Sequence, residues 1–251
     1  MKDVRPPGAG LGDEASLLRS LLEGTASATG ESFFRALVEH LARVLGVAGA
    51  WVTELDREGR RMRARAFWVN GGFVDGYAYV LAGTPCEPVI DGECLVLIPE
   101  RVVELYPDDP DLKALGAVSY AGYPTSDAAG RVTGHLAVFD TRPLAADPRV
   151  EALLKIFAAR AAAEGERLAA EARLAAERAR LERLVEGAMD AILELDGALV
   201  VTHANSAAGR TFGAPPSALA GLSFPELLAP EGRARLEAAL PELDARPAAQ
   251  R

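Results

Sequence analysis

Histidine and cysteine are scarce in this chain: its 251 residues include three histidines and two cysteines. Cys86 and Cys94 are too few for a disulfide framework or a structural zinc site. In a reducing compartment they read as free thiols. His40, His135 and His203 are scattered, and none has the i+3 or i+4 partner of a helical metal site, so no metal is expected. Basic charge is also short. The formal net charge is −9, from 27 basic and 36 acidic residues, which argues against a nucleic-acid surface and against a polybasic membrane anchor. No stretch approaches 18 uncharged apolar residues, so no membrane span is expected. The first residues, MKDVRPPGAGLGDEAS, have no apolar core after their basic residues, unlike a signal peptide. The expectation is a cytoplasmic protein. Gly8-Ala9-Gly10-Leu11-Gly12 follows no strand and precedes no lysine, so it is no phosphate loop. No Gly-x-Ser-x-Gly elbow occurs.

What is present is ordinary globular composition, 49% hydrophobic and 25% charged, with length for one or two domains. Residues 1–14 read as a flexible lead-in. A helix is expected around Leu17, Leu18, Leu21 and Leu22. Another follows with Phe34, Leu37, Val38, Leu41, Val44 and Leu45 on one face and Gly46 as its stop. The period then changes to two. Ala48, Ala50 and Val52 alternate with Trp51, Thr53 and Leu55. After the turn Asp56-Arg57-Glu58-Gly59, Met62, Ala64, Ala66 and Trp68 alternate with arginines. This predicts a hairpin with one wet and one buried face. A third strand is expected at Tyr77–Leu81, an irregular stretch with short helices from Gly83 to Gly116, and two strands near Val118–Tyr123 and Val132–Asp140. The sum is an antiparallel sheet with helices, an α+β domain over 15–148.

From about Asp147 to Gly187 the residues with the best helix propensity dominate, and forty of them would span about 60 Å. The apolar positions Leu153, Phe157, Ala161 and Leu168, then Leu174, Leu181 and Leu184, break strict heptad phase between Leu168 and Leu174, which interrupts a coiled coil without abolishing it. Residues 149–187 are therefore expected to pair with a second copy in a homodimer. Beyond it, over 188–251, Ala191–Leu195 and Leu199–Ala204 flank Asp196-Gly197, a hairpin turn signal. Asn205 would cap a short helix ended by Gly213. Two strands do not make a stable sheet, so this last module is expected to be partial and the chain to be the front of a longer protein.

Gly83-Thr84-Pro85-Cys86-Glu87, Tyr106-Pro107-Asp108-Asp109, Ser119 to Pro124, Asp127 to Gly130, Gly134 to Val138 and Ile156 to Glu164 follow one another in an order that resembles a GAF domain. Ile192, Asp196, Gly197, Asn205, Ala207, Phe212-Gly213 and Gly221 resemble the first half of a PAS domain, which in that family has five strands. The resemblance implies a regulatory module. It would sense a small molecule or partner and relay the event through a dimeric helix to an output domain C-terminal to this chain: a histidine kinase, a sigma-54-type transcription regulator or a diguanylate cyclase. Any kinase or ATPase activity would lie there, so the chain itself is not expected to be an enzyme.

In GAF folds the loop carrying Cys86 closes over the ligand cavity, which makes Cys86 a candidate ligand-binding residue. Tyr77 and Tyr79 share a strand face. Tyr120 and Tyr123 lie on opposite faces of theirs, and His135 lies on a strand. Each of these five is a candidate for the cavity, and each has an alternative as plain packing. No cofactor is identified: the sequence has neither the Asp-Ile-Pro-like motif of bilin-binding relatives nor the Asn-Lys…Phe…Asp-Glu pattern linked to cyclic nucleotides. Asp108, Asp109 and Asp111 either hold a cation or begin a short helix, where acidic residues are favoured. The alternative to a sensor is a thiol-based redox enzyme or sensor using Cys86 and Cys94.

Overall fold

The protein is described here from a computed structural model, over residues 28–244. The lead-in and the helix expected at 17–22 lie outside the described residues. The chain divides between Ala170 and Glu171 into two compact units.

The first unit opens with α1 (Glu31–Leu45), whose Phe33, Phe34, Leu37, Val38, Leu41 and Ala42 are buried. Gly46 ends it in a left-handed conformation and donates its amide to the last turn, as a C-terminal glycine does. The sheet is built from β1 (Gly49–Asp56), β2 (Arg61–Val69), β3 (Gly72–Phe73), β4 (Ala78–Val80), β5 (Val96–Ile98), β6 (Ser119–Ser126) and β7 (Val132–Asp140). Its order is β3-β2-β1-β7-β6-β5, with β4 paired to the other end of β2. Between β4 and β6 lie three helical turns: α2 (Glu87–Asp91), α3 (Val102–Leu105) and α4 (Pro110–Ala114). The three-residue edge strand β5 lies inside the stretch expected to be irregular.

The hairpin β1–β2 does not have one wet face. Ala50 and Val52 pack in a core with α1, while Trp51 joins a second core on the opposite face. β1 is the middle of the sheet, covered on both sides. The alternation in β2 also breaks. The pairing runs Val52↔Ala66 and then Thr53↔Ala64, leaving Arg65 bulged. A one-residue bulge exchanges the faces of all residues beyond it. Met62 and Ala64 therefore belong with Trp51, while Ala66 and Trp68 belong with α1. Arg65 turns toward α1: its guanidinium pairs with Glu54 and Glu31 and lies 5.0 Å from the Phe34 ring centre.

The helix α5 (Pro148–Gly187) begins in the first unit, where Val150, Leu154, Phe157, Ala158 and Ala161 are buried in the α1-side core. Leu153 and Leu168 are partly buried there. Glu164 ties it to α1 by accepting the Gly30 amide at 2.6 Å. Further along, Leu174, Leu181 and Leu184 are 70%, 54% and 61% exposed.

The second unit contains a two-stranded sheet, β8 (Leu193–Leu195) and β9 (Val201–Ala204), followed by α6 (Ser206–Phe212), α7 (Pro216–Leu219), α8 (Phe224–Leu227) and α9 (Pro230–Asp244). The connection is wider than the expected two-residue turn. Asp196 accepts the amides of Ala198 and Val200 through Oδ1, both at 2.9 Å, and Leu199, not Gly197, takes the left-handed conformation. An Asx side chain folding back on its own loop favours that arrangement. Asn205 is fully buried. Its Oδ1 accepts the Ala208 amide at 2.8 Å, capping α6, and the Ile192 amide at 3.0 Å. Its Nδ2 donates to Val185 O at 2.9 Å and Asp190 O at 3.0 Å. One amide thus ties the end of α5, the approach to β8 and the start of α6.

The tightest point in the sheet is Gly134. A Cβ built there would lie 1.9 Å from the Thr53 carbonyl oxygen of the neighbouring strand, and backbone cannot step aside as a side chain can. Gly134→Ala is expected to destabilise the first unit by about 3 kcal/mol, the upper range for overpacking. Urea unfolding followed by circular dichroism checks this; a midpoint matching the parent would refute the close approach.

Candidate functional site

The opposite face of the sheet from α1 carries the site. Alternation along β1 and β7 sends Trp51 and Phe139 to this face, and Phe67 joins them from β2 beyond the bulge. β4 adds Tyr79, and Tyr77 comes from the residue just before that strand. The loop into α2 supplies Pro85 and Cys86, and α4 with its flanks supplies Asp109, Asp111, Leu112 and Leu115. Together these line a cavity of about 20 Å³, room for about one ordered water. The rings form a continuous chain. Trp51–Phe67, Phe67–Tyr77 and Tyr77–Tyr79 centroids lie 5.6, 4.9 and 5.3 Å apart, within the range of favourable aromatic pairs.

Polar groups are few. The Tyr77 hydroxyl donates to Asp111 Oδ2 at 2.6 Å. The Tyr79 hydroxyl donates to Cys86 Sγ at 3.1 Å and the Tyr120 hydroxyl to the same sulfur at 3.4 Å. Asp109 uses Oδ1 to cap α4, accepting the amides of Asp111 at 2.9 Å and Leu112 at 3.3 Å. Burial, the largest cause, raises the Asp109 carboxyl above its usual range, and Asp111 repels it further. Burial also pushes the phenols of Tyr77, Tyr79 and Tyr120 upward, so they stay protonated donors.

Of the six residues singled out from sequence, Tyr77, Tyr79 and Cys86 line the cavity. Tyr120 lies behind Cys86 in the wall, fully buried. Tyr123 is on the other face, packed against the core that holds α1. His135 is fully buried beside Trp51, ring centres 6.1 Å apart, and does not line the cavity. Its Nδ1 is 2.6 Å from Thr53 Oγ1, and its Nε2 has no hydrogen-bond partner among the described residues. Trp51, Phe67, Phe139 and the α4 carboxylates went unsuggested as cavity residues. The signal available was the alternation that puts Trp51 opposite Ala50 and Val52, but it cannot say that both faces are covered.

The cysteines are both free, Cys86 buried and Cys94 exposed. Burial lifts the Cys86 thiol to about 11, although hydrogen bonds from the Tyr120 and Tyr79 hydroxyls work the other way. The thiolate is the reactive form, so this environment disfavours a Cys86 nucleophile. Among the described residues no cluster of three or more metal-ligating side chains occurs, and no helix is long and apolar enough to cross a membrane.

Comparison with known proteins supports the architecture. Residues 29–164 match the family described as GAF domain, and residues 185–251 match the PAS fold. Among solved structures, the chain is similar to the GAF domain of an Acinetobacter phosphoenolpyruvate-protein phosphotransferase: 17% identity, TM-score 0.52, covering 64% of this chain and 98% of that one. It is similar to free methionine-R-sulfoxide reductase from Neisseria meningitidis, solved in complex with its substrate: 16% identity, TM-score 0.50, covering 66% and 96%. It is also similar to the chromophore-binding domain of Stigmatella aurantiaca phytochrome P1: 11% identity, TM-score 0.50, covering 64% and 62%. At such identities the likeness is one of fold. No curated protein matches the sequence.

His135, although outside the cavity lining, gives the first unit a pH signature. Burial lowers its pKa from 6.5 to about 3. Between those values the unfolded chain binds a proton that the folded chain refuses. Its contribution is therefore complete above pH 6.5 and declines as pH falls toward 3, by at most about 1.4 kcal/mol per pH unit. Chemical denaturation between pH 7 and 5 is expected to show declining stability, with a shallower slope in His135→Asn. Equal slopes would show that the imidazole is not held neutral.

Proposed function

The chain belongs to the GAF domain family, and on that premise we propose that it is the sensory part of a signal-transduction protein. GAF and PAS domains occur in such sensors, phytochromes among them. In this reading the aromatic cavity takes a small ligand, with Tyr77, Tyr79 and Cys86 in its lining and Tyr120 supporting Cys86. The event is relayed along α5 in a cytoplasmic homodimer to the PAS-fold unit. The output domain would be a kinase, a sigma-54-type regulator or a diguanylate cyclase.

One observation carries the relay. The first half of α5 is anchored by buried Leu154 and Phe157, while Leu174, Leu181 and Leu184 on its second half stand exposed. Large apolar residues at heptad-related spacing on an exposed helix are stabilised when a second helix covers them. At the far end, Asn205 bonds the Val185 carbonyl of α5 to the hairpin and α6. A shift of the helix end would therefore be felt at β8. A ligand drives such a relay only if it binds one packing of the helices better than the other.

Light scattering on the full chain at about 100 μM is expected to give the mass of two chains, with Leu181→Lys/Leu184→Lys monomeric and still folded by circular dichroism, since an exposed apolar seam tolerates charge only when unpaired. A parent protein that is monomeric at that concentration would rule out the dimeric relay.

A further inference from the structure

We propose that the cavity selects a small ammonium cation, ammonium itself or methylammonium; this deepens the sensory reading above and rests on it. Size is the first constraint. A space of about 20 Å³ suits an occupant near the size of one water and excludes a nucleotide or tetrapyrrole unless the surrounding layer moves apart. Chemistry is the second. Four aromatic side chains, Trp51, Phe67, Tyr77 and Tyr79, line it, their centroids following one another at 4.9 to 5.6 Å. Aromatic faces carry negative charge density and attract cations, most strongly when the site is dry. An anion would meet an aromatic face unfavourably, and a neutral solute would gain packing and hydrogen bonds but no attraction of charge.

Charge is the third. Asp109 lines the cavity and is 8% exposed. Its Oδ1 caps α4, and its Oδ2 accepts no hydrogen bond among the described residues. Asp111 lines the same cavity, with Oδ2 held by the Tyr77 hydroxyl. No arginine or lysine pairs with either carboxylate among the described residues; the adjacent Lys113 donates instead to the Pro107 carbonyl. Two carboxylates, Asp109 buried and Asp111 half-buried, thus meet at an apolar cavity with hydrogen bonds but no cationic partner among the described residues, and a charge taken out of water is costly without one. A cation with N–H donors would relieve it, and the aromatic faces favour ammonium over a metal ion that demands six or more oxygens.

The test is a fluorescence titration of the full chain, read at its tryptophans, with ammonium and methylammonium chloride against sodium and potassium chloride at constant ionic strength. A saturable change is expected with the two ammonium salts alone. Asp111→Asn should weaken it about tenfold, the scale of losing one hydrogen bond to a charged group. Tyr77→Phe keeps the ring and provides a second variant should Asp111→Asn disturb the fold; it should weaken binding less. A silent titration, an equal response to potassium, or ammonium binding untouched in a folded Asp111→Asn protein overturns the assignment. Those results leave the sensory reading standing, since that falls only with the dimer.

Discussion

The central strands of the first unit are buried on both faces, and everything else follows from that. Ala50, Val52, Ala121, Leu136 and Val138 fill one side; Trp51, Tyr120, Ala137 and Phe139 fill the other. A strand in this position must be apolar on both faces and must leave no backbone group unpaired. β1 meets that demand by pairing with β2 and β7 together. The sheet thereby separates two layers of different build. The layer of α1 and α5 is made of long helices. The other layer is made of short pieces, α2, α3, α4 and β5, none longer than five residues, and it surrounds the cavity.

This asymmetry is what would let the proposed ligand site and the proposed relay coexist without either compromising the other. Stability in a protein is distributed unevenly, and regions with short elements open at lower cost than the core. On the proposed reading the cavity layer would loosen to admit a ligand while α5 stays anchored through buried Leu154 and Phe157. The sheet joins them physically: Trp51 touches the cavity, and its neighbours Ala50 and Val52 touch the helix layer. Within the second unit, Asn205 makes four hydrogen bonds from one buried amide. A fully satisfied buried polar group of this kind specifies one geometry, because any partial rearrangement strands a donor or acceptor.

Much of this was legible in the residues. The stripe from Phe34 to Leu45 and the stop at Gly46 follow from helical period and glycine's left-handed freedom. The continuous α5 follows from propensity, and the GAF resemblance from the order of short motifs. Three features were not legible, each for a physical reason. The Arg65 bulge is a choice of register, and alternation reads the same on either side of it until strands are paired. β5 has three residues, too few for a period to show. Asp109 and Asp111 look like an ordinary helix start, which Asp109 in fact is; their place beside Tyr77 depends on contacts between segments about 34 residues apart. Tyr123 and His135 show the same limit from the other side. Their strand positions were clear, but which sheet face opens on a cavity depends on what covers it.

The claim that the cavity layer opens independently of the sheet is tested most directly at Cys86, whose buried thiol reports its own exposure. In a Cys94→Ser protein, the rate of Cys86 alkylation under native conditions gives the free energy of the opening that exposes it. The account predicts a value about 2 kcal/mol or more below that of global unfolding measured with urea on the same protein. Equality of the two would mean that the cavity layer and the sheet open only together, and would contradict the separate opening of the cavity layer.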